Sequence, residues 1–295
     1  MKYHYYPGCS LEGTAVEYDR STRAVMAALG AELEEIEGWK CCGASAAEAT
    51  SELLALALPA RNLALAERCP EPRDVLVPCS ACYLNLKQAA EKMRVNAPLR
   101  TTVAALLEGE GLRLQGRLRV RHLLDVIATD LGPEAIGAQV TRPLSGLRIA
   151  PYYGCQCLRP YAVFDDPEVP TSMEPLVRSL GAEVFPWAMG GRCCGASHMN
   201  TRPEVGKALV AKILEAARGA DAIATVCPMC QMNLEAFQNA VSWSRHKDLH
   251  VNVVYLPQLI GSAFGLPEAE LGMNFNLALS GECRRRFSAQ TAAAS

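Results

Sequence analysis

The sequence has little of what membrane-spanning and nucleic-acid-binding proteins depend on. Its longest apolar stretch, residues 53–66, is interrupted by Pro59, Arg61 and Asn62, and residues 1–5 carry no apolar signal core. We therefore expect no transmembrane segment and a cytoplasmic location. The 29 basic and 31 acidic side chains leave a net charge of -2. Because there is no bulk basic field, neither nucleic acid nor an anionic membrane is expected as a partner.

Two common redox motifs are also absent. The chain contains neither a glycine-rich dinucleotide fingerprint nor the closely spaced four-cysteine run of ferredoxins. A flavin or an electron-entry cluster of its own is therefore not expected. Any redox activity of this chain would need partner proteins.

What the sequence does contain is cysteine, with 13 in 295 residues. In a reducing compartment these side chains stay thiols unless a metal holds them. Their arrangement in Cys-x-x-Cys pairs and in a repeated doublet favours metal binding over disulfide bonds.

Two adjacent-cysteine motifs, which we call the knots, organise the chain. They are Cys41-Cys42-Gly43 and Cys193-Cys194-Gly195. Both sulfurs of a doublet can face one inorganic centre only if the backbone turns sharply, and glycine can adopt the positive φ that such a turn requires. Each knot has one cysteine before it and a Cys-x-x-Cys pair after it. These are Cys9, Cys79 and Cys82 in the first half and Cys155, Cys227 and Cys230 in the second.

The two halves repeat one order of predicted elements around their cysteines. Corresponding cysteines are offset by 146 residues at Cys9 and Cys155, by 152 at the knots and by 148 at the last pairs. A duplication with small loop changes explains these offsets. The predicted elements are strands over 3–6, 31–36 and 74–77 with helices over 11–29, 46–67 and 83–93, then strands over 147–153 and 222–226 with a helix over 203–218.

These patterns predict an α/β fold. It should consist of two pseudo-symmetric repeats of strand–helix units with parallel sheets, and the metal sites should lie at the carboxyl ends of the strands. The predicted division is an N-terminal domain over 1–144, a C-terminal domain over 145–280 and a flexible tail over 281–295. Pro59 is expected to interrupt or kink the helix over 46–67.

Five thiols in each half is an informative number. A structural zinc site takes four ligands, and a cubane iron–sulfur cluster also takes four cysteines. The fifth thiol indicates either a centre that needs more than four ligands or a ligand that bridges two irons.

The order of a single cysteine, Cys-Cys-Gly and Cys-x-x-Cys resembles the cysteine-rich domain in the B subunit of heterodisulfide reductase and its relatives. The pattern occurs twice, and the likeness extends over nearly the whole chain, including Tyr6-Pro7-Gly8-Cys9 and residues 56–63. Two departures are present. The step from the knot glycine to the Cys-x-x-Cys pair is 32 residues in the second half against 36 in the first, and Cys157 adds a thiol two residues after Cys155.

The resemblance implies a noncubane [4Fe-4S] cluster in each half. It implies an oxidoreductase acting on sulfur groups, in which a disulfide or persulfide is cleaved, or formed in reverse, between the two clusters. The implied partners are a ferredoxin-like C subunit with cubane [4Fe-4S] clusters, a flavoprotein A subunit, and a small-molecule or carrier-bound disulfide or thiol. The implied ligands are Cys9, Cys41, Cys42, Cys79 and Cys82 for one cluster and Cys155, Cys193, Cys194, Cys227 and Cys230 for the other, with the knot cysteines Cys41, Cys42, Cys193 and Cys194 also in the catalytic role.

Several alternatives stay open at this level. Residue spacing does not give reduction potentials, so a methanogen-like disulfide reductase and a bacterial relative in sulfur oxidation are both compatible with the pattern. The alternative from another class is an electron-transfer or structural protein with one [4Fe-4S] cluster and one zinc site. Cys157 could face the substrate or pack as a small residue. His198 could donate a proton to a leaving thiolate or be a polar loop residue.

Overall fold

The computed structural model describes residues 1–288 as an α/β protein with two four-stranded parallel sheets, and this confirms the predicted fold class. The first sheet consists of β1 (Lys2–Tyr5), β2 (Glu32–Glu35), β3 (Val75–Val77) and β4 (Val120–His122). The second sheet consists of β5 (Arg148–Tyr152), β6 (Glu183–Val184), β7 (Ala222–Thr225) and β8 (Asn252–Tyr255).

Helices connect and cover the strands. In the first half they are α1 (Cys9–Glu12), α2 (Val16–Ala28), α3 (Ala44–Thr50), α4 (Glu52–Glu67), α5 (Ser80–Val95), α6 (Ala97–Glu108), α7 (Leu123–Asp125) and α8 (Gly132–Ala138), with a π-helical segment at Val126–Leu131. In the second half they are α9 (Met173–Ser179), α10 (Pro203–Ala216), α11 (Pro228–Ala236), α12 (Gln238–Arg245), α13 (Leu256–Phe264), α14 (Glu268–Leu271) and α15 (Gly281–Ser288), with 3-10 turns at Ala196–His198 and Met273–Phe275. Across residues 1–288, no helix has both the length and the apolar character needed to cross a bilayer.

Both sheets have the same strand order. It is β2-β1-β3-β4 in the first half and β6-β5-β7-β8 in the second, and all neighbouring pairs are parallel. The chain leaves β1 towards one side and returns to β3 on the other, so the carboxyl ends of these strands flank a crevice. Cys9 follows β1 and Cys79 follows β3, and Cys155 and Cys227 hold the same places in the second half. The topology therefore gathers the thiols of each half at one sheet edge.

The two halves meet through a shared core. Tyr18 of α2 stacks on Tyr255 of β8, with ring centroids 4.1 Å apart and ring planes 4° from parallel. The Tyr18 hydroxyl is 3.1 Å from the carbonyl oxygen of Pro78 and 3.1 Å from that of Val226. Pro78 and Val226 directly precede the two Cys-x-x-Cys pairs. One buried hydroxyl thus separates the cysteine-bearing ends of β3 and β7.

The break in the helix expected over residues 46–67 lies at Ser51. This residue is extended, with φ -161° and ψ 128°, and its hydroxyl accepts a hydrogen bond from the Leu54 N–H at 3.4 Å. Such a cap satisfies a free donor at the start of α4. Pro59 lies inside α4, which continues to Glu67. The predicted interruption at Pro59 is therefore wrong, because the serine cap ends the preceding turn eight residues earlier.

The C-terminal segment is more ordered than the sequence predicts. α15 buries Cys283 and Phe287, and the Arg286 guanidinium pairs with Asp221 and donates to the Gly146 carbonyl at 2.7 Å. Burial of two apolar side chains and these polar contacts fix the helix against the second half. The prediction of a flexible tail is wrong for residues 281–288, and residues 289–295 lie outside the described part of the chain.

The buried carboxyl of Glu235 should make the stability of the protein depend on pH. Burial raises the pKa of Glu235 to about 7, while backbone N–H donors at 277 and 278 oppose the shift. A folded-state pKa above the unfolded one favours folding at low pH, and this contribution is lost as the pH rises through about 7. We expect Glu235→Gln to raise the free energy of unfolding at pH 8 by roughly 1–3 kcal/mol and to change it little at pH 5. Chemical denaturation at both pH values measures this difference.

The control for that experiment is Glu204→Gln, which removes an exposed carboxylate from the same half. It should leave stability unchanged at both pH values. An equal gain for Glu235→Gln at pH 5 and pH 8 would contradict the titration argument.

Candidate metal centres

The first five cysteines form one continuous group, which we call the N-terminal set. Cys9 Sγ is 3.5 Å from Cys41 Sγ, and Cys42 Sγ is 3.4 Å from Cys82 Sγ. Hydrogen-bond contacts between Cys41 and Cys42 and between Cys79 and Cys82 close the series. Three turns, after β1, β2 and β3, therefore bring all five predicted ligands together.

The second five cysteines, the C-terminal set, repeat this arrangement. Cys155 hydrogen-bonds to Cys193, and Cys230 hydrogen-bonds to both Cys194 and Cys227. Cys194 and Cys227 also act electrostatically on the Cys155 thiol. The structure thus gathers every sequence-predicted ligand of this half as well.

Glycines at equivalent positions allow the thiols to approach the backbone. Gly8 and Gly154 have φ of 76° and 72°, and Gly43 and Gly195 have φ of 86° and 78°. A Cβ on Gly8 would lie 2.7 Å from Cys82 Sγ, and one on Gly154 would lie 3.0 Å from Cys230 Sγ. The knot glycines also donate their N–H groups to the first sulfur of each doublet, at 3.4 and 3.3 Å.

Duplicated polar side chains fix the knots against the rest of each half. The Tyr6 hydroxyl donates to the carbonyl of residue 40 and the Tyr152 hydroxyl to that of residue 192, both at 2.7 Å. Asn85 Nδ2 donates to the carbonyls of Cys42 and Ala44 at 3.4 and 3.2 Å. Asn233 Nδ2 donates to the carbonyl of Cys194 at 2.7 Å. The helix that follows each Cys-x-x-Cys pair is therefore tied to the knot of the same half.

Hydrogen bonds within each set let the thiols share protons and lower the pKa of one knot cysteine, which favours the binding of a cation. Hydrogen bonds from Cys41 and then Cys82 lower the pKa of Cys42 to about 3, against the opposing effect of burial. A hydrogen bond from Cys155 lowers the pKa of Cys193 to about 6, whereas the pKa of the Cys155 thiol is raised. A metal centre that binds these sulfurs would replace the shared protons as the positive charge.

The shape of the sets also bears on which metal group they fit. Within residues 1–288, no three His, Cys, Asp or Glu side chains surround one point as the ligands of a single ion do. The thiols instead form an extended line of contacts around each sheet edge. An all-sulfur donor set of this size fits an iron–sulfur group.

The two sets differ in access. Cys9 and Cys41 are exposed and line an open groove of about 660 Å³ together with Glu12, Glu37 and Trp39. The C-terminal set instead lines a cavity of about 60 Å³ between the halves, closed from the other side by residues 44, 45, 80 and 81. One set therefore opens to the surface and the other to the junction.

A further cavity of about 310 Å³ lies between α4, α5 and residues 114–120 and contains no cysteine. Three of its cations are paired, Lys87 and Arg94 with Glu91 and Arg119 with Asp74. The fourth, Arg100, donates to the Met93 carbonyl at 3.1 Å. We assign no redox role to it.

The two tentative site residues have different surroundings. Cys157 is 1% exposed, and its thiol donates to the carbonyl of Tyr153 at 3.2 Å. It does not line the cavity at the junction. His198 is exposed on the 3-10 turn after the second knot, close enough for its charge to lower the pKa of Cys193. The structure thus brings His198 to the C-terminal set and keeps Cys157 in the packed interior.

Sequence reasoning missed three residues at the junction, namely Tyr18, Ser80 and His122. Ser80 Oγ is 3.1 Å from His122 Nε2 and 3.2 Å from the Val226 carbonyl oxygen. The position of Ser80 within a Cys-x-x-Cys pair was the one available signal. Tyr18 and His122 carry no local signal, since their contacts join parts of the chain far apart in sequence.

Because two glycines lie close to ligand sulfurs, replacing either one should remove metal from one half only. Gly8→Ala would place its Cβ against Cys82 Sγ, and Gly154→Ala against Cys230 Sγ. We expect each variant to lose the metal of its own half, measured as metal and acid-labile sulfide per chain after purification without oxygen.

Two glycines serve as matched controls for these variants. Gly30 and Gly146 have φ of 71° and 73°, but a Cβ on either would meet nothing within 4 Å. Gly30→Ala and Gly146→Ala should cost about 1–2 kcal/mol of backbone strain and retain the metal. Equal metal loss in all four variants would show that strain, not contact with the sulfur, is responsible.

Comparison with known proteins agrees with this geometry. A family model described as a cysteine-rich domain, CCG, matches residues 3–87 and 149–235. The 8-methylmenaquinol:fumarate reductase membrane anchor subunit of Wolinella succinogenes is 36% identical over 280 residues, covering 94% of this chain and 96% of that protein. A protein of Archaeoglobus profundus, named as similar to the B subunit of heterodisulfide reductase, is 29% identical over 283 residues, covering 92% and 94%.

Further comparisons support both family and fold. The B subunit of the ferredoxin/F(420)H(2)-dependent CoB-CoM heterodisulfide reductase of Methanosarcina acetivorans is 28% identical over 284 residues, covering 93% of each chain. The crystal structure of a hypothetical protein from Helicobacter pylori superposes with a TM-score of 0.77 at 15% identity, over 95% of this chain and about half (52%) of that one. The resemblance to the B subunit of heterodisulfide reductase is thus confirmed, and the chain belongs to the CCG cysteine-rich domain family, with one copy of the domain in each half.

Proposed function

We propose that this chain is a redox component of a multi-subunit reductase and holds a noncubane [4Fe-4S] cluster in each half. In this proposal it reductively cleaves, or in reverse forms, a disulfide or persulfide. The observation that carries the proposal is the presence of two complete five-thiol sets whose strand ends are bridged by the hydroxyl of Tyr18. The residues that would hold the clusters are Cys9, Cys41, Cys42, Cys79 and Cys82 in one half and Cys155, Cys193, Cys194, Cys227 and Cys230 in the other.

Cleavage of a disulfide RS–SR′ consumes two electrons and two protons and yields RSH and R′SH. When bound, the clusters would supply and accept single electrons and act as Lewis acids towards sulfur. Two centres side by side suit this reaction, because each half of the broken S–S bond needs one electron.

The chain's own residues would hold and shield these centres. The ten thiolates would provide the ligands, and the knot glycines would donate their N–H groups to Cys41 and Cys193. The exposed edge of the N-terminal set, at Cys9 and Cys41, is open to a partner protein. The roles of His198 as a proton donor and of Cys157 as a substrate-facing thiol remain proposals.

The proposed partners follow from the missing redox motifs. Electrons would come from a ferredoxin-like protein with cubane [4Fe-4S] clusters and from a flavoprotein, the C and A subunits of such a complex. The relatives from Archaeoglobus and Methanosarcina, named as the B subunit of heterodisulfide reductase or similar to it, support this assignment. Reduction of a disulfide and oxidation of a sulfur compound in a bacterial pathway would use the same ligands in opposite directions.

A second candidate is an electron-transfer component of a quinol- and fumarate-linked reductase. The 36% identity to the Wolinella succinogenes protein, over nearly the whole of both chains, favours it. In that case the centres would pass electrons without contact to a disulfide. A variant of this candidate has a zinc ion in one half and one [4Fe-4S] cluster in the other.

One experiment separates these candidates. Protein purified without oxygen is analysed for iron, zinc and acid-labile sulfide, and its electron paramagnetic resonance spectrum is recorded before and after addition of dithiothreitol or glutathione disulfide. About eight irons per chain and a signal that responds to thiol or disulfide support disulfide chemistry. Eight irons with no response support electron transfer alone, and four irons with one zinc would rule out the two-cluster proposal.

Removing one knot cysteine tests whether activity depends on both halves. Cys42→Ala or Cys194→Ala should lose about half of the iron and nearly all disulfide reduction, because cleavage needs both centres. Cys69→Ala, which removes a thiol in neither set, should keep full iron and activity. Full activity with half the iron in either knot variant would refute the two-cluster mechanism.

A further inference from the structure

The cavity of about 310 Å³ beside α5, which we call the α5 cavity, lies outside both cysteine sets. It runs along the carboxyl-terminal half of α5 and is closed by α4, by the start of α6 and by the connection that leads into β4. Its volume falls within the range of small-molecule binding sites. The walls of this cavity therefore bear on a ligand other than the proposed metal centres.

Cations outnumber carboxylates in the walls of the α5 cavity. The cations are Lys87, Arg94, Arg100 and Arg119, and the carboxylates are Glu67 and Glu91. Both oxygens of Glu67 are occupied, because they accept the backbone N–H groups of residues 115 and 117 at 2.5 and 2.6 Å. Glu91 is shared between Lys87 at 3.1 Å and Arg94 at 3.0 Å. The excess of positive charge favours an anionic ligand.

Arg100 has hydrogen-bond donors to spare. Its polar contacts within residues 1–288 run from Nη1 to the carbonyls of Met93 and Arg94, at 3.1 and 3.5 Å. The Nε and Nη2 groups are left for a ligand, and a guanidinium presents such donors as a planar fork to a carboxylate or phosphate. Asn96 caps α6 by accepting the Leu99 N–H at 3.1 Å, which fixes the turn that carries Arg100.

A second cavity of about 410 Å³, the α6 cavity, adjoins the first and is mainly apolar. The two cavities share Met93, Leu114 and Gln115, and the α6 cavity adds the apolar residues Ala104, Leu107 and Leu112. Its two charged side chains, Glu108 and Arg113, lie 4.0 Å apart and neutralise each other. A cationic section is therefore followed by an apolar one, which suits a molecule with an anionic head and an apolar chain.

The repeat shows that these cations are additions of the first half. The offset of 148 residues between Cys82 and Cys230 pairs Lys87 with Glu235, Glu91 with Asn239 and Arg94 with Ser242. Arg100 belongs to α6, which lies in the connection over residues 96–119, whereas residues 246–251 make the connection to the fourth strand in the second half. The shared cysteine scaffold therefore requires neither the cations nor α6.

We propose that the two adjoining cavities bind a small molecule with an anionic head and a linear apolar chain, of the class of medium-chain fatty carboxylates. The head would lie beside Arg94 and Arg100, and the chain would pass Met93 and Leu114 towards Ala104. Guanidinium donors would stabilise the carboxylate, and burial of the chain would release water from the apolar walls. The flexible side chain of Met93 can adjust to the chain. The proposal is independent of the proposed function, because the walls of both cavities consist of residues other than cysteine.

The test is isothermal titration calorimetry of the full chain with sodium decanoate. We expect a single bound decanoate per chain. Hexanoate, which has a shorter chain, and decyltrimethylammonium, which has a cationic head, should each bind at least about tenfold more weakly. Absence of decanoate binding, or equal binding of decanoate and decyltrimethylammonium, would overturn the proposal.

Variants of the head section test the role of Arg100. Arg100→Met should weaken decanoate binding about tenfold, and Arg100→Lys, which keeps the charge, should retain most of it. Arg94→Gln changes a side chain that is 71% exposed and gives the same test if Arg100→Met does not fold. The control is Arg68→Gln, which removes an exposed cation outside both cavity walls. Unchanged affinity in the Arg100→Met and Arg94→Gln variants would refute the proposed head site.

A matched pair on α6 tests the position of the chain. Ala104 and Ala105 are neighbouring exposed residues, and Ala104 is the one that lines the α6 cavity. Ala104→Asp should weaken decanoate binding about tenfold and leave hexanoate binding unchanged, because the shorter chain does not reach this residue. Ala105→Asp adds the same charge outside the cavity and should leave both affinities unchanged. Equal effects of the two variants on decanoate would contradict the proposed path of the chain.

Discussion

Five cysteine sulfurs in a line of pairwise contacts at one sheet edge are the constraint on which most other features of each half depend. Thiolates at such distances repel one another, and burial adds a desolvation cost. Shared protons reduce this repulsion in the protein alone, and a bound cationic centre would remove it. The glycines with positive φ, the N–H donors of the knots and the Asn85 and Asn233 clamps all hold backbone close to sulfur without adding charge. These features occur in both halves because each half brings five mutually repelling thiolates close together.

Duplication has nevertheless produced one molecule with two unequal sites. The halves share a core through the Tyr18–Tyr255 stack, and the hydroxyl of Tyr18 bridges the ends of β3 and β7. The N-terminal set opens to a surface groove, whereas the C-terminal set faces the junction. By this geometry, electrons from a partner would enter at the N-terminal set, and chemistry at the junction would take place beside the C-terminal set.

The relatives place this cysteine scaffold in proteins named for two kinds of reductase, one acting with 8-methylmenaquinol and fumarate and the other with a heterodisulfide. The likeness spans almost the whole chain in both cases. A shared cysteine framework with different reactions is what is expected when the strand ends are kept and the surroundings vary. Within this chain, the groove beside Cys9 and the cavity beside Cys155 are the places where such differences would act.

The sequence by itself determined the repeat, the α/β class and the ten cysteines that come together, because short apolar strands and closely spaced thiols are local patterns read directly from residue order. It misplaced the helix break, at Pro59 instead of Ser51, and the flexible tail, since the cap at Ser51 and the burial of Cys283 and Phe287 depend on conformation and packing. Only the tertiary structure decided that Ser80, Tyr18 and His122 meet between the two sets. Their contacts join α2, α5, β4 and the end of β7 across many residues of chain, and the packing of one repeat on the other has no periodic signature in either repeat.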